Sequence, residues 1–350
     1  MGRQIDLLLP GLFWDTALKQ FNGQDCRPKK LERVLSKAKT TVEPSVDLTT
    51  TLFKLFGITA ESGRDLPSGA VTAFQVDQQP RGGNWALATP VHLLADRDRL
   101  ILIRLDPKTI KDEYANRLIS RFNTHFATEG LSLLNVAQGQ WCMNLSSLPE
   151  LTTSDIESVA GRHIESYMPS GRDGGYWRSL LNEIQMLLFQ EELSQPAALR
   201  GDPPVNGIWL SGFGPCPEVE TSYSALFGSH TLLSGFARLS KLPIRDLPDD
   251  FTDLSSQRGN IAILYTALHE AELKADISDW QTALERIEQQ LSRLLDSVDT
   301  KQDQLRIYTC KGHRFNLQKR HSIIDFFKAD KSLDRIMAEV NSAQISNLDF

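Results

Sequence analysis

The stretch "PPVNGIWLSGFG", Pro203 to Gly214, is an apolar run with two prolines before it and two glycines at its end. Such a run between turn-forming residues is typical of a buried strand. Its glycines form only Gly212-x-Gly214, and Pro217 stands where a dinucleotide-binding fingerprint requires a third glycine. We therefore predict a buried strand that ends in a tight glycine turn and presents backbone N–H groups there.

The composition is that of an ordinary globular protein. The 350 residues are 41% hydrophobic and 23% charged, the net charge is −6 and the isoelectric point is about 5.7. This acidic balance disfavours nucleic acid as a partner. The apolar segment near the N-terminus is interrupted by Asp6 and Pro10, which makes it too short for a signal peptide or a membrane span. We expect a cytoplasmic protein with no membrane partner.

Cysteine and histidine spacing gives no metal or disulfide signature. The four cysteines, at positions 26, 142, 216 and 310, form no CxxC pair, and none of the seven histidines belongs to an HxH or HExxH motif. We expect reduced cysteines that serve packing. No complete catalytic motif of a hydrolase or kinase is present either.

Strand and helix patterns alternate in the C-terminal half, and a β-rich segment precedes it. This order predicts an α/β fold with an inserted β-rich α+β subdomain. We assign residues 1–60 and 200–325 to the main α/β core, 61–170 to the inserted subdomain, 171–199 to a connecting helix and 326–350 to a C-terminal tail. A capping-box pattern at Ser278 and Gln281 predicts the start of a long amphipathic helix.

Candidate functional residues follow predicted strands, because ligands in open α/β sheets bind beyond the carboxyl ends of the strands. His269 and Glu270 follow "NIAILYTAL", and His313 follows "LRIYTC". These three are weak catalytic candidates. The candidate ligand-binding residues are Asn206, Ser211, Gly212 and Gly214 in the opening stretch, and Arg97 in "ADRDR". The alternatives are a surface histidine for His269 and an ion-paired hairpin turn for Arg97.

Three segments, "PVHLLADRDRLIL", "WRSLLNEIQMLL" and "VNGIWLSGFG", resemble a proteobacterial family of RpfE-type regulatory or phosphoglycerate-mutase-like proteins. The resemblance runs from residue 5 to about residue 320. Through "RGDPPVNGIWLSGFG" the chain is also similar to the archaeal type of cofactor-independent phosphoglycerate mutase, a metalloenzyme of the alkaline phosphatase superfamily. The resemblance implies an alkaline-phosphatase-like mixed sheet flanked by helices.

The resemblance also implies two metal ions held by Asp and His, and a serine nucleophile. At the matching positions this chain has Pro10-Gly11 where the family has Pro-Asp-Gly, and Ser45 is the serine nearest to the nucleophile position. It has Thr309, Cys310 and His313 where the family has Asp-His. Two metals need more carboxylates than these positions supply.

Two functions remain open from the sequence. The first is a non-catalytic relative of the metal-dependent mutases, without a cofactor, that binds a small phosphorylated or anionic ligand or a protein partner. The second is an active phosphoglycerate mutase or phosphatase-type enzyme with Mn or Zn in a site rebuilt from His269, Glu270 and His313. The first is our prediction, since no metal ligand set is evident.

Overall fold

The computed structural model describes residues 2–21, 27–43, 46–76, 82–194, 203–251, 254, 257–297, 303–317 and 330–346. The strands are β1 Gln4–Leu8, β2 Lys39–Val42, β3 Asn84–Asp96, β4 Arg99–Arg104, β5 Leu131–Ala137, β6 Gln140–Leu145, β7 Gly207–Pro215, β8 Tyr223–Phe227, β9 Ile244–Arg245, β10 Asn260–Leu264, β11 Gln304–Tyr308 and β12 His313–Leu317. The helices are α1 Asp15–Phe21, α2 Lys29–Lys37, α3 Leu48–Leu55, α4 Ser68–Ala73, α5 Asp112–His125, α6 Ile156–Val159, α7 Gly174–Ser194, α8 Thr231–Leu239, α9 Ala267–Lys274, α10 Ile277–Ser297 and α11 Leu333–Ser346.

The chain divides into two compact units. The first comprises residues 1–57, 220–233 and 240–350, and the second comprises residues 58–219 and 234–239. The mixed α/β architecture with a β-rich α+β insertion is confirmed. Among the described residues, no helix combines the length and the apolar character needed to cross a membrane.

The first unit is built on a seven-stranded mixed sheet in the order β2-β12-β11-β1-β10-β8-β9. The strands from β11 to β9 run parallel, and the hairpin of β11 and β12 continues into β2 in antiparallel pairing. The central strand β1 is buried on both faces, as a parallel strand between two layers of helices requires. The carboxyl ends of β1, β10 and β11 therefore meet at one edge of the sheet.

Helix α10 buries one apolar stripe in the core of the first unit. Its members recur at helical spacing: Trp280, Leu284, Ile287, Leu291 and Leu294. The predicted start of this helix was wrong by two residues, because the Asp276 carboxylate accepts a hydrogen bond from the Asp279 backbone N–H at 2.9 Å. Asp276 thus caps the helix, and Ser278 lies inside its first turn.

The second unit contains an antiparallel five-stranded sheet around β3. This 13-residue strand pairs with β4, β6 and β7, and β5 continues the sheet beyond β6. Helices α5 and α7 supply the apolar side chains that cover it. The segment "GAVTAF" lies within the insertion that we predict to be β-rich, but most of it forms the short helix α4.

The opening stretch differs from the sequence-based expectation in two respects. Its strand β7 pairs with β3 in the second unit, whereas we had placed residues from 200 onward in the main core. The glycines do not form a turn after the strand, because β7 extends through both of them to Pro215. Gly212 instead lies where the pairing of β7 with β3 changes register, between the partners of Trp85 and Leu87. Its φ angle is +65°. One type of β-bulge places a residue in the left-handed region, which a glycine adopts readily.

Candidate functional site

A lysine and a glutamate lie close to the edge where the parallel strands of the first unit end. The Lys311 ammonium, just beyond β11, donates to Glu272 Oε1 at 2.6 Å and to the Phe13 carbonyl oxygen at 3.2 Å. Glu272 belongs to α9, which follows β10, and Phe13 follows β1. The segments that leave three neighbouring strands are therefore tied together by one side-chain cation.

The two predicted catalytic residues on α9, His269 and Glu270, contact different partners. His269 Nδ1 lies 3.8 Å from Glu272 Oε2. Glu270 accepts a hydrogen bond from the Thr266 hydroxyl at 2.7 Å, at the start of the same helix. His269 therefore extends the pair formed by Lys311 and Glu272, and Glu270 contacts its own helix terminus.

Backbone packing fills the space directly after β1. A Cβ atom added to Gly11 would lie 2.6 Å from the backbone nitrogen of His269, and Gly11 has φ +81°. The Trp280 indole N–H also donates to the Gly11 carbonyl oxygen at 2.9 Å. No side chain fits between β1 and α9 at this position.

These residues do not fit the two-metal site that the resemblance implies. A pair of divalent ions requires several carboxylates or imidazoles around a common centre. Within the part of the chain that the structure describes, no group of three or more His, Cys, Asp or Glu side chains is placed to hold a metal ion. Glu272 is the carboxylate that contacts both Lys311 and His269 among the described residues near the strand ends.

The Glu272 carboxyl gives a testable pH dependence. Burial raises its pKa, but hydrogen bonds from His269 and Lys311 together with the charge of Lys311 outweigh it, and the pKa is lowered from 4.5. A lowered carboxyl pKa stabilises the folded state above the unfolded-state value, and this stability is lost as the pH falls through the folded-state pKa. We expect Glu272→Gln to lower the free energy of unfolding by roughly 1 kcal/mol at pH 7.

That loss should shrink when unfolding in urea is repeated near pH 3, below the ordinary glutamate pKa, because the unfolded state of wild type then carries a protonated Glu272 and folding must displace that proton. The matched control is Glu285→Gln on the exposed face of α10. It should change stability little at either pH. An equal loss at both pH values for Glu272→Gln would contradict the role of its charge.

A separate cavity of about 320 Å³ lies in the first unit. Side chains from β11, β12 and α3 contribute its charged groups: Arg306, Arg314, Lys54 and, after β2, Glu43. Tyr223, Tyr308 and His313 also line it. His269 and Glu270 are not among the lining residues, so the structure does not gather the three predicted catalytic residues in this cavity.

Arg306, which lines this cavity, forms a buried ion pair with Asp6. Asp6, which is fully buried in the middle of β1, accepts hydrogen bonds from Arg306 through both carboxylate oxygens and from the Tyr223 hydroxyl. Gln4 donates to the same carboxylate at 2.8 Å. Burial raises the pKa of Tyr223 well above its usual value, and the charge of Asp6 adds to the effect. Tyr223 therefore stays protonated and donates at physiological pH.

His313 is buried in the wall of the cavity without a hydrogen bond of normal geometry. Its exposed fraction is 2%, and neither ring nitrogen has a partner. Burial lowers the pKa of His313 and outweighs the opposing effect of the Val340 carbonyl. The imidazole is therefore mainly neutral at pH 7.

The predicted ligand-binding residues lie in the second unit, in or beside the strands of its sheet. The Asn206 side chain exchanges two hydrogen bonds with the backbone of Leu93, at 2.6 and 3.1 Å, and so extends the pairing of β7 with β3. Ser211 is buried within β7. Arg97 lies in the exposed turn between β3 and β4, with φ +57°. Their role in ligand binding stays a prediction.

Gly214 lines another cavity in the second unit, of about 210 Å³. Asp65 also lines this cavity. Its carboxylate accepts hydrogen bonds from Thr153 and from the Phe213 N–H. Ser45, the residue nearest the implied nucleophile position, lies outside the described residues.

The end of β11 carries Thr309 and Cys310 in buried positions. The Thr309 N–H donates to the His313 carbonyl oxygen at 3.2 Å, which closes the turn between β11 and β12. Cys310 adopts φ +56° in that turn. Both residues thus shape the turn that brings His313 to the wall of the cavity.

Sequence reasoning missed the cavity and the Lys311–Glu272 pair. Asp6 carried a usable signal, since a carboxylate inside a run of strand-forming apolar residues requires a buried partner. Its partner Arg306 is 300 positions away in the chain, and only the pairing of β1 with β11 brings the two together. Lys311 and Glu272 follow separate strands and gave no local motif.

Comparison with known proteins supports a distant relationship to phosphoglycerate-mutase-like proteins. An 85-residue segment is 28% identical to a 2,3-bisphosphoglycerate-independent phosphoglycerate mutase of Methanosarcina mazei. That match covers 24% of this chain and only 21% of the relative. No family model matches the chain.

Solved structures resemble this chain over most of its length. The PH0037 protein of Pyrococcus horikoshii matches with a TM-score of 0.52 and 13% identity, over 91% of this chain and 87% of that protein. The cofactor-independent phosphoglycerate mutase of Thermoplasma acidophilum matches with a TM-score of 0.42 and 14% identity, over 95% and 94%. The likeness to the PH0037 protein shows a shared fold, and the predicted mixed sheet flanked by helices is present.

Proposed function

We propose that this chain is a non-catalytic relative of the metal-dependent phosphoglycerate mutases, with a ligand-binding or regulatory role in the cytoplasm. The observation that carries the proposal is the Lys311 ammonium paired with Glu272 beside the strand ends. A fixed side-chain cation repels divalent ions and occupies the carboxylate that would otherwise attract them. The sequence match to a phosphoglycerate mutase supports the family relationship, and the ion pair supports the loss of its metals.

The packing after β1 supports the same proposal. In the family that the sequence resembles, an Asp between Pro and Gly contributes to metal binding, whereas Pro10 and Gly11 are adjacent here. The backbone of His269 lies so close to Gly11 that even a methyl group would collide with it. No ligand side chain can therefore stand at Gly11 itself unless α9 moves.

Metal content and turnover test this proposal. We expect the purified protein, incubated with manganese and then dialysed, to retain far less than one ion per chain by elemental mass spectrometry. We expect no conversion of 3-phosphoglycerate to 2-phosphoglycerate in the presence of manganese. About two ions per chain together with turnover would overturn the proposal and favour the rebuilt enzyme.

The variant Lys311→Met sharpens this experiment. It removes the ammonium without adding a ligand, and it frees Glu272 and His269 to bind metal. Since two ligands do not complete a tetrahedral or octahedral site, we expect this variant to retain no metal either. Tight metal binding by the variant but not by wild type would show that Lys311 alone prevents metal binding. It would contradict the proposal that too few metal ligands remain.

A further inference from the structure

We propose that the cavity of about 210 Å³ in the second unit binds a small organic amine, whose ammonium group pairs with Asp65 and whose apolar part lies against the cavity wall. All residues that line this cavity belong to the second unit. The inference goes beyond the proposed function, because neither the loss of metals nor the pair of Lys311 and Glu272 bears on this cavity. Its failure would leave the proposed function unaffected.

The wall of the cavity is mainly apolar. Beside four prolines, the large apolar side chains that line it are Ile58, Leu66, Leu148, Leu151 and Phe213. The Phe213 ring packs edge-on against Trp177, with the ring centroids 5.0 Å apart, and this contact holds the aromatic part of the wall in place. Such a wall favours the apolar part of a ligand. The volume lies below the range typical of drug-sized sites, so the ligand is small.

The charges of the lining residues leave an excess of one negative charge. Arg64 Nη1 lies 3.6 Å from Glu61 Oε2, so these two residues balance each other. Asp65 is the remaining charged residue of the lining. Within the described ranges, no lysine, arginine or histidine side chain is ion-paired with it, and its partners are Thr153 and Phe213. A carboxylate beside an apolar wall attracts a cation more strongly than one in open water, because the effective dielectric constant there is lower.

The hydrogen bonds of Asp65 hold its carboxylate in place and leave room for one further donor. Oδ1 accepts the Thr153 N–H at 3.0 Å, and Oδ2 accepts the Thr153 hydroxyl and the Phe213 N–H. A carboxylate accepts about four hydrogen bonds, so these contacts leave one place, on Oδ1. All of the donors are uncharged and leave the negative charge in place. A ligand ammonium supplies both the further donor and the missing charge.

Isothermal titration calorimetry on the full chain, with benzylamine and benzyl alcohol as probes, tests the inference. The two probes share a benzyl group, and only benzylamine carries a positive charge at pH 7. We expect benzylamine to bind at least about tenfold more tightly, because a charge-assisted hydrogen bond replaces a neutral one. This comparison uses the wild-type protein and does not depend on how a variant folds. Equal affinities for the two probes, or no binding of benzylamine, would overturn the inference.

The variant Asp65→Asn identifies the carboxylate that pairs with the amine. We expect it to bind benzylamine at least about tenfold more weakly and benzyl alcohol with nearly unchanged affinity. The matched control is Asp98→Asn, which removes an exposed carboxylate from the turn between β3 and β4, outside the cavity. It should change neither affinity. Equal weakening of benzylamine binding by both variants would show a general effect of the protein charge and contradict the site.

A third variant tests the location of the site without altering Asp65. Leu148 is a half-buried residue of the wall, and Leu148→Trp reduces the volume of the cavity. We expect this variant to weaken the binding of both probes, since both place their ring against the wall. Circular dichroism checks the folding of all three variants. Unchanged binding of both probes by folded Leu148→Trp would place the amine outside this cavity and overturn the inference.

Discussion

Replacing Asp6 by Asn is expected to lower the free energy of unfolding by about 3–5 kcal/mol. The Asp6 side chain is fully buried, and its two oxygens accept hydrogen bonds from Arg306 and Tyr223. The variant leaves the Arg306 guanidinium, 18% exposed, without a counter-charge in the middle of the sheet. Urea denaturation followed by far-UV circular dichroism measures the loss.

Two controls separate this effect from the general cost of removing a charge. Asp249→Asn breaks the ion pair with Arg286, in which the aspartate side chain is 98% exposed, and it should leave stability nearly unchanged. The double variant Asp6→Asn with Arg306→Met removes both charges and should recover part of the loss. Similar midpoints for Asp6→Asn and Asp249→Asn would show that the buried pair is not a major determinant of stability.

The fold was largely predictable from local patterns in the sequence. Local patterns located the long helices α7 and α10, because each has one apolar stripe to bury. One prediction that failed concerned a pairing partner: β7 has the apolar character of a central parallel strand, but it pairs with β3 in an antiparallel sheet.

The site was less predictable, because its contacts join residues that are far apart in the chain. His269 and Glu270 were singled out for their place after a strand, yet Glu272, two positions further on, makes the contact with Lys311. His313 was noted for its position, and its burial beside Arg314 became evident only in the folded chain. Strand order and side-chain direction decide such groupings, and neither can be read from spacing within one segment.

Replacing Gly212 by Ala is expected to destabilise the second unit by roughly 2–5 kcal/mol. The first contribution is conformational, since φ +65° places the residue in the left-handed region, where a side chain costs about 1–2 kcal/mol. The second is steric, because a Cβ atom would lie 1.9 Å from the Ser68 hydroxyl oxygen on α4, and overpacking of this kind costs about 1–3 kcal/mol. Hydrogen exchange of peptides covering β7 and β3 measures the loss as faster exchange.

Two further variants divide the effect of Gly212→Ala into its two causes. Gly63 has φ +75° and no atom within 4 Å of an added Cβ, so Gly63→Ala reports the conformational cost alone. Adding Ser68→Gly to Gly212→Ala removes the nearest colliding atoms and should restore part of the protection. If Gly212→Ala exchanges no faster than Gly63→Ala, close packing of α4 against β7 does not explain the glycine. The "SGFG" sequence would then remain a candidate for ligand binding rather than a packing requirement.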